Sequence, residues 1–144
     1  MGKLSQAGIA VALLGGVITL IGLFPGVIGL ESAAGVGILQ ILVILAGFSI
    51  LIAGAFIFVQ SAYYHGIKHN LAQQIGLRLS MTGLVFAAAC GMADVFGFGS
   101  HPIGVEGQRP LLGPYQTLGL IGGFVIASLG VLIFTLLGTS DEPR

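Results

Sequence analysis

Four long apolar runs separated by short polar breaks set the pattern of the chain, at residues 7–30, 37–59, 75–98 and 112–137. Each reaches the roughly 20 residues a helix needs to cross a hydrocarbon core about 30 Å thick. The pattern predicts an all-α integral membrane protein, one membrane domain over residues 1–144, folded as a four-transmembrane-helix antiparallel bundle. The first break, residues 31–36, is short enough to force a tight turn between neighbouring helices. Pro25 is expected to end or kink the first helix, because it removes a backbone donor and crowds the turn before it. The break at residues 99–110 is longer, carries Pro102, Pro110 and three glycines, and is the least regular part of the chain.

The second and fourth runs resemble each other. At an offset of 76, Gly37, Gln40, Leu42, Gly47, Phe48, Ile50, Gly54, Ile57 and Phe58 meet identical residues from Gly113 to Phe134. The first and third runs agree at an offset of 68, through Gly8/Gly76, Gly15/Gly83, Val17/Val85, Val27/Val95 and Gly29/Gly97. Two tandem helical hairpins, residues 1–60 and 70–138, are the expected units of a parallel internal repeat, related by a pseudo-two-fold axis along the membrane normal.

Small residues say how such helices meet, since helices in lipid associate through close backbone approach rather than through the hydrophobic effect. Gly8, Ala12 and Gly16 form one such stripe, Gly83, Ala87 and Gly91 a second, and Gly119, Gly123 and Ala127 a third. The second run spaces its small residues by seven, at Ala46 and Ala53 and at Gly47 and Gly54.

Composition strengthens the reading: 56% of residues are hydrophobic, 7% charged, and mean hydropathy is +1.07. Five basic residues balance five acidic ones without clustering, so no surface suited to nucleic acid is present. Lys3, Lys68, Arg78 and Arg144 fall on one side of the expected topology and Arg109 on the other, which predicts cytoplasmic N and C termini. Tyr63 and Tyr64 are then expected at the inner interface and Tyr115 at the outer one. The first run is too long for a cleaved signal peptide and is read as a retained helix. In general character the chain resembles bacterial four-helix membrane proteins, which implies a bacterial cytoplasmic membrane.

Candidate chemistry is sparse. Asp94 is the one acidic residue inside an apolar run, where an ionised carboxylate costs up to about 3 kcal/mol at the bilayer centre and less near its surface. With Gln40, His101, Glu106, Arg109, Tyr115 and Gln116 it is expected to form a polar cup at the outer mouth of the bundle. Such a cup would suit a lipid, quinone or pigment head group, although no cofactor is required by the pattern. His65 and His69 share a face if the second helix continues past them, but this loop lacks Cys, Asp and Glu, so no metal is expected. Cys90 has no second cysteine to pair with.

No nucleophile with an adjacent base, HExxH pair or phosphate loop is present, and no enzymatic activity is expected. The expected role is a non-catalytic accessory subunit of a larger membrane complex, such as an energy-converting respiratory or photosynthetic assembly, with other membrane subunits and the lipid bilayer as partners. A small oligomeric transporter or channel is the alternative. The middle third of every run lacks the ionisable groups that coupled transport uses.

Overall fold

The computed structural model describes residues 2–29, 37–98 and 112–138. Four α-helices account for most of them: α1 (Lys3–Leu23), α2 (Ile38–Tyr63), α3 (Leu71–Gly91) and α4 (Pro114–Leu136). No strand occurs among the described residues. At 1.5 Å per residue, the 21 residues of α1 and α3 span about 32 Å, and the 26 of α2 about 39 Å. All four are long and apolar enough to cross a membrane.

Local chemistry places the helix ends. Pro25 disfavours helical backbone at the residue before it, and Phe24 accordingly leaves the helical region, at φ −128° and ψ 68°. As far as residue 29, the expected span 7–30 is therefore two pieces. It consists of α1 and a single 3-10 turn, Pro25–Ile28, closed by Gly29 at φ +74°. Helix α3 starts at Leu71 rather than at residue 75, because Asn70 and Gln73 form a reciprocal capping box. Gln73 N donates to Asn70 Oδ1 at 2.8 Å, and Asn70 N to Gln73 Oε1 at 3.1 Å. Pro114 occupies the first turn of α4, where its missing N–H costs nothing.

Glycines bring α1 against α2 at backbone distance. A Cβ built on Gly8 would meet Phe58 N at 2.5 Å, and one on Gly22 would meet Ile44 Cγ1 at 2.7 Å. Between them Gly15 lies against Leu51 and Gly47, Gly47 against Thr19, and Gly54 against Ala12. The partners fall along α2 as they rise along α1. Helices α3 and α4 meet in the same manner. Gly76 faces Gly130 and Phe134, Gly83 faces Ala127 and Gly123, and Gly123 faces Ala87.

Ser80, fully buried in this second seam, donates to Ala127 O at 2.7 Å. Interhelical hydrogen bonds in membranes are worth about 0.6 kcal/mol on average and up to about 1.7. Ser80→Ala is expected to cost about 1 kcal/mol, measured by unfolding in mixed micelles. Equal stability of the two proteins would mean that Ala127 O finds another donor.

Contact between the two pairs is much sparser and runs through α2. Near one end Ile41 and Leu45 join Ala87 and Leu120 in a buried cluster, with Ala88, Met92, Leu112 and Phe124 packed on it. Near the other, Val59, Tyr64 and Phe134 form a second cluster with Phe56, Phe58 and Leu77 around them. The rings of Phe48 and Phe124 stack between the clusters at 4.0 Å.

Only 17–33% of each candidate span is buried within the protein. Large apolar side chains stand exposed on every helix, Leu14, Leu39, Val85 and Leu118 among them. Water would not tolerate so much contiguous apolar area, whereas lipid does.

Candidate polar sites at the helix ends

Polar side chains in this fold gather where helices stop, because there the backbone leaves groups without intrahelical partners. At the end where α2 and α4 begin, Gln40 reaches across to α1. Its Nε2 donates to Gly22 O at 2.7 Å, one of the last carbonyls of that helix. Gln116, its counterpart in α4, does something different. It is buried and accepts from Gly113 N at 2.6 Å, capping the start of its own helix. Gln116 Nε2 has no hydrogen-bond partner among the described residues.

Asp94 lies at this same end, though not within a helix. The α3 ladder closes with Met92 N on Ala88 O at 2.9 Å, and the chain continues in turns to Gly97 at φ +81°. Aspartate is a poor helix former, and this left-handed glycine closes the turn, with Phe98 N donating to Ala93 O at 2.9 Å. Asp94 is half-buried. Tyr115 is exposed on the first turn of α4. His101, Glu106 and Arg109 lie outside the described residues. The structure thus sets Gln40, Asp94, Tyr115 and Gln116 at one end of the helices and ties Gln40 and Gln116 to backbone.

Gln40→Leu is expected to lose about 1 kcal/mol, because Gly22 O would then lack its donor in an apolar setting. Amide exchange in the last turn of α1 should rise with it. Unchanged exchange there would show that water already serves this carbonyl.

The opposite end carries a denser network. Tyr64 is buried, and its hydroxyl lies 2.8 Å from Thr135 O and 3.0 Å from Gly138 O. Asn70 Nδ2 donates to Leu137 O at 2.9 Å. The connection between α2 and α3 therefore caps the last carbonyls of α4. Gln73 is also buried here, with Nε2 unpartnered among the described residues.

His69 Nε2 sits 2.6 Å from Gln60 Oε1, and its ring meets Phe134 edge-on at 5.5 Å. His65 is exposed. Helix α2 stops at Tyr63 and Gly66 turns the chain at φ +76°, so the two histidines do not share a helical face. Among the described residues no group of three or more His, Cys, Asp or Glu side chains gathers.

Of the small residues singled out by spacing, Gly8, Ala12, Gly47, Gly54, Gly83, Ala87, Gly123 and Ala127 lie in the two seams. Gly16 lies off the first seam, which uses Gly15 instead. Gly91 turns toward Ile41, Leu45 and Leu120, and Gly119 packs against Cys90. Ala46 and Ala53 are exposed. Gly22, Gly76, Gly130 and Ser80 complete the seams.

No family model, curated protein or solved structure matches this chain.

Proposed function

We propose that the chain is a non-catalytic accessory subunit of a larger membrane assembly, an energy-converting complex being one setting, where it fills space between other membrane subunits. It is an antiparallel bundle of two tandem helical hairpins, α1–α2 and α3–α4, in the bacterial cytoplasmic membrane with both termini inside.

One observation carries the role. Glycines and other small residues occupy the seams within each pair, while large apolar side chains cover the outer faces of all four helices. Such a molecule offers lateral apolar surface. Its polar side chains support the reading too, since Gln40, Tyr64, Asn70 and Gln116 all bind helix-end backbone.

The duplication is supported by register. Gly15 faces Leu51 and Gly47, and Gly83 faces Ala127 and Gly123, which are the same positions moved by 68 in one helix and 76 in the other. Gly8 against Phe58 becomes Gly76 against Phe134, and Gly47 against Thr19 becomes Gly123 against Ala87. Descent from one hairpin accounts for such agreement more simply than shared apolar composition does.

Extraction in a mild detergent, followed by identification of every protein that co-purifies, tests the role. A stoichiometric set of other membrane subunits is expected. Recovery of the chain with no other protein would overturn it. Reporter fusions at residues 1 and 144 test the orientation, and a reporter outside the membrane at either end would refute it.

A further inference from the structure

The register shared by the two hairpins lets their outer faces be compared position by position, and the comparison leaves two surfaces unmatched. Helix α2 presents a ridge of Ile41, Leu45, Phe48, Ile52, Phe56 and Val59 to the second hairpin. Ile41, Ile52 and Val59 are only 2%, 3% and 6% exposed. The ridge lies along a groove between α3 and α4, where Ala88 packs against the Ile41 and Leu45 cluster and Leu77 against the Val59 cluster. Phe134, from the same groove, meets Phe56 edge-on at 5.0 Å.

Shifted by the repeat offsets, this groove becomes a surface between α1 and α2. Leu77, Ala88 and Phe134, which pack against the ridge and its clusters, map to Ile9, Leu20 and Phe58. Those three residues, with Gly16, Leu51 and Ala55 between them, line an open apolar groove of about 440 Å³. The ridge maps likewise onto Thr117, Ile121, Phe124, Ser128, Leu132 and Thr135 of α4. Phe124 stacks on Phe48, but Ile121 and Leu132 are 53% and 52% exposed. One ridge is seated along its length while its copy is covered at Phe124 and open at Ile121 and Leu132, and one groove is filled while its copy is empty.

We propose that the ridge of α4 docks into the empty α1–α2 groove of a second copy of this chain, repeating between molecules the contact that α2 makes within one. Such a contact joins two different surfaces, so it closes into a ring when each copy both gives a ridge and receives one. Two chains exchanging ridge for groove are the smallest assembly that satisfies every surface.

The ridge suits a dry apolar groove despite its three hydroxyls. Thr117, Ser128 and Thr135 donate to Gly113 O, Phe124 O and Val131 O of their own helix, at 3.1, 2.9 and 2.8 Å. No hydroxyl proton is left seeking a partner outside α4. Gly16, at the position that Leu84 holds in the second hairpin, deepens the empty groove.

The inference rests on the duplication argued above and not on the accessory role. Ala88 beside Leu45 in the seated contact becomes Leu20 beside Ile121 in the proposed one. Chains carrying Leu20→Cys and chains carrying Ile121→Cys, each with Cys90→Ala, are therefore co-expressed and oxidised in native membranes. A disulfide-linked dimer is expected in the mixture, several-fold above that from either variant alone. Leu20→Cys paired with Ile126→Cys, about 140° further round α4, should give none above that background.

A disulfide that forms only when Leu20→Cys and Ile121→Cys share one chain would overturn the inference, since the chain would then be closing on itself. No disulfide in any combination would overturn it as well, leaving the groove to lipid. Counting chains per particle by photobleaching of the unsubstituted protein is independent of these variants: two or more copies support the inference, and single copies refute it. Self-association without other subunits would sink the accessory role alone, and co-purifying subunits around a single copy would sink this inference alone.

Discussion

Gly123→Ala is expected to destabilise the protein by about 3 kcal/mol, whereas Gly122→Ala, one residue earlier, is expected to be neutral or slightly stabilising. The difference follows from what a new methyl group would touch. On Gly123 it would lie 2.6 Å from Ala87 N and from Gly83 O, and 2.7 Å from Ala87 Cβ. Two of these neighbours are backbone, so no rotamer change can move them aside. On Gly122 the methyl would meet nothing within 4 Å, and a helix prefers alanine to glycine by about 0.5–1 kcal/mol.

Lipid makes the consequence larger than one clash. With little hydrophobic drive between helices, packing holds α3 to α4, and a wedge at Gly123 separates Gly83, Ala87 and Ala127 from their partners together. Titration of both variants with a denaturing detergent would measure the difference. Equal loss in the two, or none in Gly123→Ala, would show that the seam is not the source of stability.

The seam was partly legible in the sequence, and the part that was not has a geometric cause. A spacing of four selects Gly8, Ala12 and Gly16 as a stripe. In the structure the glycines of α1 that meet the backbone of α2 are seven apart, at Gly8, Gly15 and Gly22, because helices lying nearly along one another keep a seven-residue seam facing the partner. The signal was present, since Gly15 and Gly83 already matched at the offset of 68. Spacing alone could not separate Gly15 from Gly16, since they stand seven and eight residues after Gly8 and both intervals return close to the same helical face.

Helix ends were less legible, for a different reason. Hydropathy locates apolar residues, whereas a helix ends where the backbone finds a cap. The pattern Asn70-Leu-Ala-Gln73 is a capping-box signature and marks the start of α3 at Leu71, four residues before the hydropathy rises. The apolar run to residue 98 likewise conceals the turns after Gly91, so Asp94 lies beyond α3 rather than within it. Tyr64 gave no signal of its own. A tyrosine near a helix end reads as an interface anchor, and its contact with α4 depends on residues more than seventy positions away.

That contact yields the second large effect. Tyr64→Ala is expected to cost about 3 kcal/mol and Tyr64→Phe about 1, because the two substitutions remove different things. The Tyr64 hydroxyl has one proton and lies within reach of two carbonyls, Thr135 O at 2.8 Å and Gly138 O at 3.0 Å, so it serves both only by sharing. Phenylalanine keeps the ring edge-on to Phe134 and loses only that hydrogen bond. Alanine removes the ring as well and opens a cavity beside Val59 and Phe134.

The two losses should be distinguishable by location. Losing the hydroxyl frees the carboxyl end of α4, so amide exchange around residues 135–138 should quicken in Tyr64→Phe while the centre of α4 stays protected. Losing the ring loosens α2 against α4 as well, so in Tyr64→Ala the faster exchange should extend to Phe56 and Val59. If Tyr64→Phe leaves the end of α4 as protected as before, Asn70 on Leu137 O is holding that helix end by itself.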